Sequence, residues 1–115
     1  MNYPSKPVIE DKNAPILFDK ETILKSFSFF FSAIEKDYRI SSTHLGIFSA
    51  LLRYSILQGF ANPIRAFSYQ IMPLAKISAS GTYHKHIREL SQYGYIKYEP
   101  SFKNNKPSRI YFITH

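Results

Sequence analysis

From Ile23 onward, apolar side chains recur at Ile23, Leu24, Phe27, Phe30, Phe31 and Ile34, the spacing of a helix with one apolar face. Asp19 stands where an N-cap belongs and Glu21 falls in the first turn, so this helix is predicted over about 19–37. Phe29 lies outside the stripe. A second helix is predicted from a cap at Ser41-Ser42-Thr43 to about residue 58, closed by Gly59. Its inward positions are Leu45, Phe48, Leu51, Leu52, Ser55 and Ile56, with Arg53 outward. After Asn62-Pro63, the run Ile64-Arg65-Ala66-Phe67 alternates like an edge strand. Ser68 then caps a helix over 69–75 that faces inward through Ile71, Leu74 and Ala75, and Pro73 shortens or kinks it. Lys76-Ile77-Ser78-Ala79 makes a tight connection, and Ser80 caps a fourth helix buried through Tyr83, Ile87 and Leu90 and stopped by Gly94. Segments 95–99 and 109–113 alternate with period two, separated by a polar, turn-rich loop over 100–108. Residues 1–18, with Pro4, Pro7 and Pro15 and no helical period, read as an extended arm, ordered where Ile16, Leu17 and Phe18 meet an apolar surface.

This pattern predicts a mainly α fold with one small antiparallel β-hairpin, of the α+β class. The arm spans 1–18 and a single domain fills 19–115, made of an extra N-terminal helix (19–37) and a core (41–113). A length of 115 residues allows one modest hydrophobic core, and an apolar fraction of 44% is that of a folded globule. Cysteine is absent, which excludes disulfides and thiolate metal sites and fits a reducing cytoplasm. The N-terminus lacks a signal-peptide layout, and no apolar run reaches membrane-spanning length.

The net charge of +7 is unevenly placed. Residues 1–37 hold five lysines against six acids, whereas residues 38–115 hold ten Lys/Arg against only Glu89 and Glu99. A basic C-terminal two-thirds fits a polyanionic partner, because lysine and arginine displace counterions condensed on phosphate.

The fourth helix carries the candidate chemistry. With Tyr83, Ile87 and Leu90 inward, its outward arc is Gly81, Lys85, Arg88 and Gln92, flanked by Thr82 and His84. Ser80, Gly81 and Thr82 make a slim polar tip, and the two cations follow one turn later, which is what a reader of base edges needs. The run from Ser80 to Ile96, with Ser80, Thr82, Tyr83, Ile87, Leu90, Gly94 and Ile96 at the diagnostic places, resembles winged helix-turn-helix transcription regulators. The segment from Asn62 to Ser108 also resembles small helix-turn-helix proteins of Bacteroides-type conjugative mobile elements, through Asn-Pro-Ile, Tyr-His-Lys and Gly-Tyr-Ile-Lys-Tyr-x-Pro-Ser, and the resemblance as a whole covers roughly 41–113. The resemblance implies a recognition helix over about 80–93 in the major groove of double-stranded DNA, with Ser80, Gly81, Thr82, His84, Lys85 and Arg88 as its contacts. It implies a basic wing over 100–108 that lays Lys103, Asn104, Asn105 and Lys106 on the backbone. Ser68 and Tyr69 begin the first helix of the motif, where backbone N–H groups meet a phosphate.

Competing chemistries are weaker. His84 and His86 stand two apart on a helix and point in opposed directions, so that pair holds no metal ion, and no cofactor is expected. No clustered carboxylates, Ser-His-Asp arrangement or glycine-rich phosphate loop emerges, so no enzyme is expected. The phenylalanine-rich helix is read as a packing face rather than a membrane device. Phe29, with Ile16, Leu17 and Phe18, points to a homodimer through the arm and the first helix. The expected role is sequence-specific DNA binding by a transcriptional regulator of a mobile element, in the bacterial cytoplasm at the nucleoid. Two rivals are a replication-initiation or excision accessory factor, and a protein–protein adaptor that touches no DNA.

Overall fold

Helix ends decide much of this architecture. The computed structural model describes residues 17–18 and 20–113, with side chains from residue 20 on; the proposed Asp19 cap, Ile16 and the arm before it lie outside the described residues. Strand β1 is Leu17–Phe18 and helix α1 is Lys20–Ala33, followed by a 3-10 turn over Ile34–Lys36. Next come α2 (Ser42–Leu57), β2 (Ala61–Asn62), β3 (Ile64–Ala66), α3 (Ser68–Ala75) and α4 (Ser80–Gln92). The chain ends in the antiparallel hairpin of β4 (Ile96–Glu99) and β5 (Ser108–Phe112).

Helices α2, α3 and α4 all stop in the same way. After each, a residue adopts a left-handed conformation (after α2, Phe60 at φ 65° does so as well as Gly59), and the next residue's N–H bonds back to the carbonyl five positions earlier: Phe60 to Ser55, Ile77 to Met72, Tyr95 to Leu90. Gly59 and Gly94 take the left-handed place in α2 and α4 at no steric cost. In α3 that place falls to Lys76, at φ 61°. Pro73 sits inside α3 and is exposed, so its ring projects into solvent; the helix is short, as expected.

The fold is α+β: four helices against a three-stranded antiparallel sheet of order β3-β5-β4. Register places Ile64 opposite Ile110 and Ile96 opposite Phe112, and all four are buried on the helix-facing side. Their companions in the core are Phe30, Ile47, Phe48, Leu51, Ile71, Ile87 and Leu90. Phe30 stacks on Phe48 at 3.8 Å between ring centroids and meets Tyr95 edge-on. Gly46 lets the end of α3 lie against α2, since a Cβ there would sit 3.2 Å from the Ala75 carbonyl oxygen. A second, two-stranded sheet pairs β1 with β2, Leu17 opposite Asn62. Beyond a cis Asn62–Pro63 bond, the Asn62 amide accepts from the Phe112 N–H at 2.9 Å and so extends the ladder of β5.

Several predicted faces are corrected. In α1 the buried residues are Ile23, Ser26 and Phe30, while Leu24 and Phe27 are exposed. Phe29 is half-buried against Tyr95, at 5.7 Å between rings, because α1 packs its inner side on the segment that leads into β4. In α2, His44, Ile47 and Ala50 join the core, Ile56 is exposed and Leu45 is half-buried. Leu74 of α3 is exposed, since the eight-residue helix buries only Ile71 fully. Ser68 and Ser80 are the first helical residues rather than the caps; Phe67 and Ala79 hold the cap positions.

Candidate nucleic-acid interface

The outward face of α4 follows from its inward one. Tyr83, Ile87 and Leu90 are buried at i, i+4 and i+7, which leaves Ser80, Gly81, Thr82, Lys85, Arg88 and Gln92 exposed. Gly81, His84 and Arg88 follow one another at helical spacing, with Lys85 one turn after Gly81. A Cβ built on Gly81 would meet nothing within 4 Å, so the protein's own packing does not require glycine there. Ala79 offers no side-chain cap, and the first-turn N–H groups of α4 are left facing solvent.

The loop between β4 and β5 is built by its serines. Ser101 accepts from the Lys103 N–H at 3.2 Å and, through its own N–H, donates to Ser108 Oγ at 3.1 Å. A turn from Lys103 to Lys106, closed by the Lys106 N–H on the Lys103 carbonyl, puts both lysines at the tip. All four tip residues, Lys103, Asn104, Asn105 and Lys106, are exposed, and Phe102 beside them is 94% exposed.

A cleft of about 300 Å³ joins these parts. Ser68 and Tyr69 from α3, His84 from α4, and Lys103, Asn104 and Lys106 from the hairpin all line it, so half of the expected contact residues meet in one place. Ser80, Gly81, Thr82, Lys85 and Arg88 lie along the exposed face of α4, and Asn105 is exposed at the tip outside the cleft. Residues outside the sequence-based set complete the wall: Ala66, Phe67, Tyr83, Tyr98, Ser101 and Ser108. Tyr98 was findable, because the period-two alternation of β4 sends it to the side opposite Lys97. Phe67 stacks on Tyr69 at 5.2 Å and presents that ring, 67% exposed, at the cleft rim.

Charge compensation is unequal across the molecule. Glu99 pairs with Lys97 and Arg109, and Glu89 bonds His44. Arg39 is held bidentate by Asp37 and lies over the Tyr93 ring at 4.0 Å. Among the described residues no acid pairs with Lys85, Arg88, Lys103 or Lys106.

The histidines divide into different environments. His84 turns its Nδ1–H back to the Ser80 carbonyl at 2.9 Å, and His86 does the same to Thr82 at 2.7 Å. His86 thereby points away from His84, as expected, and toward α2. There His44 is 3% exposed, with its Nε2 at 2.9 Å from Glu89. Burial pushes the His44 imidazole below its usual range, and the Glu89 carboxylate pulls the other way. Sequence reasoning missed this group because His44 and Glu89 are 45 residues apart; the detectable signal was the His86-x-x-Glu89 spacing on one helical face.

No family model, no curated protein and no solved structure matches the chain. Among the described residues no helix is long and apolar enough to cross a membrane.

Proposed function

We propose that this chain is a winged helix-turn-helix protein that binds duplex DNA, with α3 and α4 as the helix-turn-helix and the β4–β5 loop as the wing. The observation that carries the reading is the gathering of Ser68, Tyr69, His84, Lys103, Asn104 and Lys106 around one cleft, with Lys85 and Arg88 exposed on α4 beside it and, among the described residues, no acid paired with any of these four Lys and Arg cations. Uncompensated cations on convex elements flanking a polar cleft suit a phosphate backbone, and the slim tip of α4 suits base edges. The uncapped first turn of α4 adds N–H donors that favour an anion.

The role that fits is control of a bacterial mobile element through a specific site. A second copy of the chain supplies the second reader: Leu24, Phe27, Ile56 and Leu57 expose apolar surface along α1 and α2, around a groove of about 280 Å³. The contact residues differ from the sequence-based choice, since Phe29 is packed against Tyr95.

The deciding experiment is fluorescence anisotropy with a labelled random duplex across a salt series. A DNA-binding protein gives a steep linear fall of log affinity with log salt; a protein–protein adaptor gives none. Selection from a random duplex pool then tests whether a specific site exists.

A further inference from the structure

We propose that His44, His86 and Glu89 form a binding site for one divalent transition-metal ion of the zinc class, bridging the N-terminal turn of α2 to the middle of α4. One ligand atom from each residue can be chosen so that all three lie within 4.8 Å of one another. A tetrahedral zinc site needs nitrogen and oxygen donors about 2.0–2.2 Å from the ion, which sets them roughly 3.3 Å apart. His44 Nε2 and Glu89 Oε1 are already at 2.9 Å, and the two imidazole rings are 4.7 Å apart between centroids. Small side-chain movements close the remainder.

The orientation of the two histidines is fixed from behind. His86 donates its Nδ1 proton to the Thr82 carbonyl, which leaves the Nε2 lone pair free for an ion. His86 and Glu89 stand three apart on α4, so both side chains leave the helix on the same face. His44 has two partners at Nδ1, the Ser41 N–H and the Ser41 hydroxyl, each at 2.9 Å. Without an ion, the Ser41 N–H donates to Nδ1 and the Nε2–H donates to Glu89. With an ion on Nε2, the proton moves to Nδ1, the Ser41 hydroxyl accepts it, and the cap backbone at Ser41 shifts so that its N–H no longer points at the ring. The tautomer changes and the imidazole stays neutral, as a metal ligand must.

Two imidazoles and one carboxylate, with no thiolate in the chain, suit zinc, cobalt or nickel rather than calcium or magnesium. Glu89 is about one-quarter exposed, so solvent reaches the site and water fills the fourth position. The site is independent of the DNA-binding reading, since its ligands are not among the residues assigned to DNA.

The test uses the untagged full chain, stripped of metal, titrated with zinc by calorimetry and with cobalt by visible absorption. One zinc per chain is expected, with the visible bands of four-coordinate cobalt and a raised melting temperature. His86→Gln and Glu89→Gln should each weaken zinc binding by about tenfold or more while remaining folded by circular dichroism. His84→Gln should leave it unchanged. His44 is left intact because its removal would also disturb the α2 cap. No zinc uptake by the wild-type chain overturns the proposal, and so does a His84→Gln loss equal to that of His86→Gln, which would mark adventitious binding by surface histidines.

Discussion

Tyr95 crosses 58 residues of chain to place its hydroxyl 2.6 Å from Asp37 Oδ2, donating to an oxygen that also accepts from Arg39 Nη2 at 2.8 Å, while Arg39 Nε donates to Oδ1. One short loop is thereby tied to the start of β4. The Arg39 guanidinium first, and the Tyr95 hydroxyl second, hold the Asp37 carboxyl well below the usual carboxylate range. Burial first, and the bond to Asp37 second, push the Tyr95 phenol up to about 12.

The pH consequence has a definite sign. A carboxyl whose pKa is lowered by folding contributes its full stability above its unfolded value, about 3.9, and loses it as the pH falls toward the folded value. Arg39→Gln should therefore melt below wild type at neutral pH, by a gap that stays level down to about pH 5 and narrows below about pH 4. Tyr95→Phe should show the same trend with a smaller gap. Melting curves from pH 7 to pH 2.5 check this; a gap that widens on acidification would refute the assignment.

Ser26 is a small polar residue placed where a core residue belongs. It is fully buried, and its hydroxyl has no hydrogen-bond partner among the described residues. Ser26→Ala removes an unpaired polar group and adds helix propensity, so the variant should be more stable by about 1 kcal/mol. Chemical denaturation measures it directly, and a loss of stability would mean that the hydroxyl is bonded after all.

Lys85→Ala and Arg88→Ala each remove an exposed cation from α4 without touching the Tyr83, Ile87 and Leu90 face. Each should weaken binding to a selected duplex by about 1–3 kcal/mol at unchanged melting temperature. Lys103→Gln with Lys106→Gln should instead weaken all duplexes alike and flatten the salt slope by about two units. Equal affinities for wild type and all these variants would remove α4 and the hairpin from the interface.

Gly81 separates stability from binding. Because a Cβ there meets open space, Gly81→Ala should raise stability by up to about 1 kcal/mol. The same methyl group would stand between the backbone of α4 and a base edge, so affinity for the selected duplex should fall. If both stability and affinity rise, the tip of α4 does not approach DNA closely.

Assembly is tested through Leu24 and Phe27, which are 52% and 46% exposed. Light scattering should report a dimer for the intact chain, and Leu24→Glu with Phe27→Glu should return it to a monomer with normal melting. A monomeric wild type without DNA would exclude a constitutive dimer.

These residues also explain what could be read in advance. In α4 only one face is apolar, so the spacing of Tyr83, Ile87 and Leu90 fixed its rotation without any knowledge of neighbours. The strands β4 and β5 were also legible, because each carries an alternating stretch and the loop between them is polar. Helix α1 was not. Phe27, Phe29, Phe30 and Phe31 surround nearly the whole helix, so its rotation is set by Phe48 and Tyr95, which lie far away in the chain. Local periodicity carries no information about that choice. His44 was hidden for a related reason: a histidine in a capping position looks solvent-facing until Glu89 arrives from another helix.

Strand β5 is the middle of the three-stranded sheet, yet it is the last of the three to be made. On an emerging polypeptide, β3 and β4 have no central partner until residues 108–112 leave the ribosome, and Ile64 must wait for Ile110, 46 positions later. Helices α2, α3 and α4 have no such delay in meeting one another, since all three precede β5 in the chain. A nascent chain stalled before residue 108 should therefore be helical but leave two bare strand edges open, and deletion of residues 108–112 would convert that transient risk of aggregation into a permanent one.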